Sequence, residues 1–207
     1  MRTGFWKDIK LPAYVMGPMA NVTDAAFRRL IAKYSKPAGP AVIWTEFVSV
    51  EGLLSAGRER LLQDLWYTEA ERPIVAQIFG SKPEQFREVA ELLNELGFDG
   101  IDINMGCPDR AVEKSGAGAA LMKDPERAAK IIRETKAGAG KLPVSVKTRI
   151  GYGKNELDTW LPALLNEGLA AVTLHLRTRK EMSDVDAHWD VAEQAVAIRD
   201  KFDSSVS

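Results

Sequence analysis

The chain has 207 residues, enough for one sizeable domain, and its 45% hydrophobic and 28% charged content is ordinary for a globular protein. A net charge of −1 excludes a global basic field, so any polyanion site must be a local cluster of Lys and Arg. The single cysteine (Cys107) and two histidines (His175, His188) exclude a disulfide framework and argue against a multi-cysteine or His-rich metal site, and no apolar run approaches the ~20 residues of a membrane span.

The N-terminus, MRTGFWKDIKLP, lacks the apolar core of a signal peptide, and a cytoplasmic chain is expected. Ala13–Gly17 is the first short apolar run and is predicted as a strand. Thr23-Asp24 then starts a helix through about Ala32. Ala41–Glu46 and Pro73–Phe79 are the second and third strands. Ser81-Lys82-Pro83-Glu84 has capping-box spacing; the apolar stripe Phe86, Val89, Ala90, Leu92, Leu93 and Leu96 follows, and Gly97 stands where a C-terminal glycine belongs. Gly100–Asn104 is the fourth strand. Asp124-Pro125 opens the next helix as N-cap and first-turn proline, and Gly138 closes it. Pro143–Lys147 is the fifth strand. Leu157–Glu167 is a helix ended by Gly168, with Pro162 tolerable only near its first turn. Ala171–His175 is the sixth strand, and Asp190–Phe202 a last amphipathic helix before a polar tail, Asp203–Ser207.

Strand centres recur about every 30 residues, the length of a βα unit. The strands read as nearly continuous apolar runs, which suits a parallel sheet covered on both faces. Such a repeat gives either a doubly wound sheet or a (β/α)8 barrel. Polar residues decide between them. Met19 and Asn21 follow the first strand, and Glu46 and Gln77 lie at the second and third. Asn104 and Cys107 follow the fourth, Lys147 and Arg149 end the fifth, and His175 and Arg177 end the sixth. Chemistry at the C-terminal end of every strand is the barrel pattern, whereas a doubly wound sheet concentrates it at one switch point. The expectation is an α/β fold of TIM (β/α)8 type, incomplete, with about six of eight βα units.

Cys107 lies in Asp102–Pro108, DINMGCP, between a strand end and a loop. A thiol held there is either an acid or nucleophile or a small buried hydrophobe. The loop Gly116-Ala117-Gly118-Ala119-Ala120 permits close approach of a ligand or of neighbouring backbone. Lys147 closes a buried strand and needs a partner for its charge. That partner is an anionic ligand such as a flavin ring, or else Asp102 or Glu46. His175 and Arg177 pose the same choice. Gln77, an amide among apolar residues, bonds either a heterocycle or a neighbouring strand end.

Gly17-Pro18-Met19-Ala20-Asn21-Val22-Thr23-Asp24, with Phe27-Arg28 after it, resembles the opening motif of tRNA-dihydrouridine synthases. DINMGCP with the Gly116–Leu121 loop matches that family's most specific signature, and Val146–Arg149 and His175–Arg179 follow in the expected order. The resemblance covers essentially the whole chain.

It implies an FMN-dependent barrel that reduces particular uridines in tRNA to 5,6-dihydrouridine with electrons from NADPH. Pro18, Met19, Gln77, Lys147 and His175 would contact FMN, Asn104 and Arg177 would hold the uracil, and Cys107 would give a proton to its C5. Leu176 departs from the glycine usual between the His and the Arg. Family members continue with two more strands, whose loops grip the FMN phosphate, and then a helical tRNA-binding domain. Residues 1–207 are therefore expected to be the N-terminal portion of the barrel domain, without the helical domain. The alternatives are another FMN barrel acting on a free pyrimidine, dihydroorotate dehydrogenase-like, and an inactive truncated fragment. DINMGCP and the basic Arg177–Lys180 segment favour RNA over a small acid.

Overall fold

The computed structural model describes residues 4–205. Its sheet holds β1 (Ile43–Ser49), β2 (Ile74–Phe79), β3 (Gly100–Met105), β4 (Val144–Arg149) and β5 (Ala171–His175), all parallel and in the order 1-2-3-4-5. Every connection advances one strand in the same direction, as around a barrel; a doubly wound sheet would reverse. The chain is thus an incomplete TIM-type barrel. Helix α1 (Ala25–Ser35) precedes β1, and α2 (Val50–Leu53) and α3 (Arg58–Asp64) follow it. Next come α4 (Pro83–Glu95) after β2, and α5 (Arg110–Lys114) and α6 (Pro125–Gly138) after β3. Helix α7 (Leu157–Leu165) follows β4, and α8 (Val191–Ser205) follows β5.

The expected strand at Ala13–Gly17 is reduced to a single parallel bridge, Met16 to Ile43. The Met16 N–H donates to Val42 O (3.0 Å) and the Ala41 N–H to Tyr14 O (2.7 Å). Pro12 and Pro18 bracket the segment and offer no N–H. Tyr14 and Val15 stay exposed, and no strand among the described residues covers its other side.

The strands alternate rather than being apolar throughout. Ile101, Ile103 and Met105 of β3 and Val144 and Val146 of β4 join the core packed under Phe86, Val89 and Leu93 of α4 and Ile131 and Ile132 of α6. The residues between them, Gln77, Asp102, Asn104, Ser145, Lys147 and Arg149, share the other, inner face. That face is plugged at the N-terminal ends of the strands by Phe5 and Trp6, packed on Val42, Trp44 and Val75. Its polar half therefore opens at the C-terminal ends.

Helix punctuation follows the sequence in part. Asp24 caps α1 by accepting from the Phe27 N–H (2.7 Å), and Asp124 caps α6. Gly97 has φ +77 after α4, as expected. The capping box at Ser81 does not form. Lys82 is the N-cap of α4 without a side-chain bond, and Pro83 supplies the first turn. Pro162 lies inside α7, past the first turn; the Asp158 carbonyl it leaves without an N–H belongs to an exposed residue. The last helix runs beyond Phe202 to Ser205; Met1–Thr3 of the N-terminal segment and Val206 and Ser207 of the expected tail lie outside the described residues.

Gly138 is the last residue of α6, as expected, but it keeps a helical backbone and lies where α6 crosses α4. A Cβ there would stand 2.1 Å from the Arg87 carbonyl oxygen. In an open helix Gly→Ala gains about 1 kcal/mol. Here α6 must first back off α4, so Gly138→Ala is expected to lose about 1–3 kcal/mol, as for overpacking. Thermal unfolding checks this; an unchanged or raised Tm contradicts the close approach.

Candidate active site

Gln77, Asn104, Lys147 and His175 come to the same end of the sheet through its register, which pairs Gln77 with Asp102, Asn104 with Lys147 and Arg149 with His175. Cys107 follows β3 by two residues and Arg177 follows β5 by two. Pro18 and Met19 lie at the end of the bridged segment. Met19 is 47% exposed and bonds only within its own turn, where its N–H donates to Thr23 Oγ1 (3.0 Å). The turn is tied to β1 through the Asn21 N–H, which donates to Glu46 Oε1. A register shift between Trp44 and Phe47 re-aims Glu46 for this bond.

The Cys107 loop is held from three sides. Asn104 Oδ1 accepts from the N–H groups of Gly106 (3.1 Å) and Cys107 (2.9 Å). Cys107 O accepts from the Ala119 N–H (2.9 Å), and Gly118, at φ +59, has room for no side chain because a Cβ would meet Cys107 O at 2.8 Å. The glycine-rich loop thus packs tightly against Cys107. Arg149, expected only as a polar residue at the end of the fifth strand with no assigned role, supplies the third hold. Its Nε donates to Gly106 O (2.9 Å), and its Nη1 to Thr178 O (3.1 Å) and Met182 O (2.8 Å). A second tie joins the same two loops, with Arg179 Nε on Glu113 Oε2 (2.7 Å).

Cys107 is half-buried. Burial pushes its thiol pKa up, against an N–H from Asp109 and the charges of Arg149 and Lys147, which pull it down. A raised pKa favours the protonated thiol, the form that can give up a proton, over a thiolate nucleophile. Burial likewise drives the Lys147 pKa down, with the Asp102 charge opposing. The Lys147 amine makes no hydrogen bond or ion pair among the described residues; Glu46 takes the Asn21 N–H, and Asp102 is held by Ser145 Oγ (2.5 Å) and Gln77 Nε2 (2.6 Å). Neither carboxylate partner expected for Lys147 is used. Burial and then the Arg149, Lys147 and Arg177 charges lower the His175 pKa to about 4. Arg177 Nη1 stands 3.0 Å from His175 Nε2 and can only donate, so Nε2 is the bare nitrogen of a neutral ring.

Gln77 and Asn104 are buried, with Asn104 Nδ2 donating to Gln77 Oε1 (3.0 Å). Leu176 points away from this site: it packs with Leu174 and Leu165 around Ile150, Leu157, Leu161 and Val191, on the helix side of β5. The two-residue alternation puts His175 and Arg177 inward and Leu176 outward, so the departure from glycine leaves the mouth unaltered. Asp102 is the site residue least visible beforehand. Burial raises its pKa to about 6, and the available signal was a carboxylate inside an otherwise apolar run.

Donors and cations converge at one open strand end: an unpaired lysine, a neutral histidine and two arginines around a protonated thiol. That donor set fits an electron-rich planar ring with nitrogen and oxygen acceptors, and the lysine fits one that carries negative charge.

A family model described as dihydrouridine synthase (Dus) matches residues 15–204. The chain is 45% identical over 203 residues to a probable tRNA-dihydrouridine synthase of Staphylococcus aureus (strain COL), covering 97% of this chain and 60% of that protein. It is 43% identical over 203 residues to a probable tRNA-dihydrouridine synthase 2 of Bacillus subtilis, covering 97% of this chain and 61% of that one. It thus spans about three fifths of these relatives' length. A solved structure of a variant of NCR from Zymomonas mobilis has a similar fold, with TM-score 0.51 and 16% identity over 78% of this chain and 63% of that one.

Proposed function

Because the chain belongs to the dihydrouridine synthase family, we propose that it is the N-terminal portion of a flavin-dependent barrel that reduces uridines in tRNA to 5,6-dihydrouridine, with Cys107 as the acid. The observation that carries this reading is the half-buried Cys107 thiol held at the open strand end beside Lys147 and Arg149, with its pKa pushed up by burial.

Reduced FMN, replenished by NADPH, would supply hydride to uracil C6. Lys147 and His175 would hold the flavin ring, with Gln77, Pro18 and Met19 along its edge. Lys147 is half-buried and its amine has no side-chain partner among the described residues, and an anionic ring edge would offset the desolvation that lowers its pKa. Gln77 and Asn104 each keep one N–H beyond the bonds they make to one another and to Asp102. Asn104 would use its spare N–H on the uracil, and Arg177 its charge. Cys107 would pass its proton to uracil C5. Negative charge builds on the uracil before that transfer, and the Arg149 and Lys147 cations beside the thiol lower its cost. The tRNA-binding helical domain would lie outside these residues. No helix among the described residues is long and apolar enough to cross a membrane, and a tRNA substrate suits a cytoplasmic enzyme.

Purified protein is expected to be yellow, with flavin near-stoichiometric to chain, and to form dihydrouridine in tRNA that lacks it. A colourless chain would sink the claim that this portion is active. Lys147→Ala is expected to weaken flavin binding at least about 10-fold, the loss of one charge-assisted bond. Unchanged flavin titration would return Lys147 to a structural role.

A further inference from the structure

Asp102 is fully buried on the inner face, and nothing in the proposed chemistry uses it. Its two oxygens are both occupied. Oδ1 accepts from Ser145 Oγ (2.5 Å) and Oδ2 from Gln77 Nε2 (2.6 Å). From Gln77 the bonds run on in one direction. Gln77 turns its NH2 to the carboxylate, so its Oε1 faces Asn104 and accepts from Nδ2 (3.0 Å). Asn104 then presents its Oδ1 to the N–H groups of Gly106 (3.1 Å) and Cys107 (2.9 Å). The two ends of this chain agree. A carboxylate can only accept and a backbone N–H can only donate, and each of the two amides between them satisfies both neighbours in a single orientation. Amides elsewhere can flip at little cost; these cannot without leaving buried groups unpaired.

We propose that Asp102 is the positioning residue of the Cys107 loop: its carboxylate sets the direction of a hydrogen-bond relay through Gln77 and Asn104 that ends on the N–H groups of Gly106 and Cys107. The relay gives the buried carboxylate a task across two strands, because β3 supplies Asp102 and Asn104, β2 supplies Gln77 between them, and the loop after β3 receives the last bonds. It acts on the thiol through loop geometry. Asp102 is not among the charges that bear on the Cys107 thiol, which are Asp109, Arg149 and Lys147. That the positioned thiol serves as an acid rests on the function proposed above; the relay itself does not.

Cys107 is the only cysteine, so alkylation by iodoacetamide reports on one site. Asp102→Asn and Asp102→Leu both remove the charge. The carboxamide can still accept from Gln77 through its oxygen and give its NH2 to Ser145 Oγ, so the direction survives; leucine leaves Gln77 without an acceptor. Asp102→Asn is expected to keep the alkylation pH profile and the amide-exchange protection of Gly106 and Cys107 within about 2-fold of the parent. Asp102→Leu, folded by circular dichroism and with equal flavin content, is expected to raise both rates at least ~10-fold and to move the alkylation midpoint down by about one pH unit, as the thiol regains water. Equal rates in parent and folded Asp102→Leu overturn the relay, as does an Asp102→Asn that opens the loop. If Asp102→Leu does not fold, Asp102→Asn/Ser145→Ala takes its place. Without the serine the carboxamide has no preferred facing, so the double variant loses protection while Asp102→Asn keeps it; equal protection in the two overturns the relay. Both readouts are made without RNA, so a protein that fails to form dihydrouridine yet shows these shifts defeats the proposed function and leaves the relay standing.

Discussion

Under the proposed function, replacing Cys107 with alanine is expected to lower dihydrouridine formation by about 10²–10⁴-fold, the range for one positioned acid, and to leave bound flavin unchanged. In the proposed reaction the loss would fall in the chemical step, where the thiol would deliver its proton as charge builds on the uracil. Its environment suits that task. Burial raises the thiol pKa, so the proton is present at neutral pH and is lost only as pH rises through the folded value. The parent rate should therefore fall on an alkaline limb above the ordinary thiol range of about 8.5, and the alanine variant should lack that limb. Serine is no substitute, since a hydroxyl is a far weaker acid. Tritium or mass analysis of the product, with a flavin spectrum taken alongside, checks all three. Undiminished product from the alanine variant defeats the assignment.

The largest expected effect on stability lies away from the site, at Arg28. This side chain is wholly buried in α1. Its Nε donates to Glu71 (2.9 Å), Nη1 to Thr23 O (2.8 Å) and Nη2 to Trp66 O (2.6 Å). It thereby pins the turn that carries Met19 to the segment leading into β2. Arg28→Met strands the equally buried Glu71 carboxylate, and breaking such a pair costs about 3–5 kcal/mol. For a chain of this size the Tm should fall by roughly 10 °C or more. Adding Glu71→Leu removes the stranded charge, so the double variant should be more stable than Arg28→Met alone. A single-variant loss near that of an exposed pair, below about 1 kcal/mol, would show that the burial does not govern the energetics.

The barrel order was legible because each apolar run is followed by a helix of fitting length, and because polar residues fall at the C-terminal side of every run. The cluster was legible for the same reason: Gln77, Asn104, Cys107, Lys147, His175 and Arg177 were placed by strand ends alone, and the register brings them together. What the sequence withheld is pairwise. Ala13–Gly17 has strand composition, but pairing depends on a neighbour on each side, and only β1 is there among the described residues. Gly138 has the composition of a helix stop, while its role depends on where α4 crosses. Ser81 offered a cap that the Lys82-Pro83 start does not use. The contacts of Lys147 could not be chosen from spacing, because they turn on whether Ser145, Gln77 and Asn21 reach the carboxylates first. Arg149 and Asp102 look like neighbours of the motif residues in the sequence; only the folded distances make them its supports.

The two arginine ties between the loops after β3 and β5 bear on how variants of this protein can be compared. Gly106 and Glu113 on one side, and Thr178, Arg179 and Met182 on the other, are joined by charged bonds that share no flexible spacer. A change in either loop displaces both, so free-energy effects measured separately in the two will not sum. The proper unit of comparison is the joined rim, and the coupling energy between its halves is a quantity of its own.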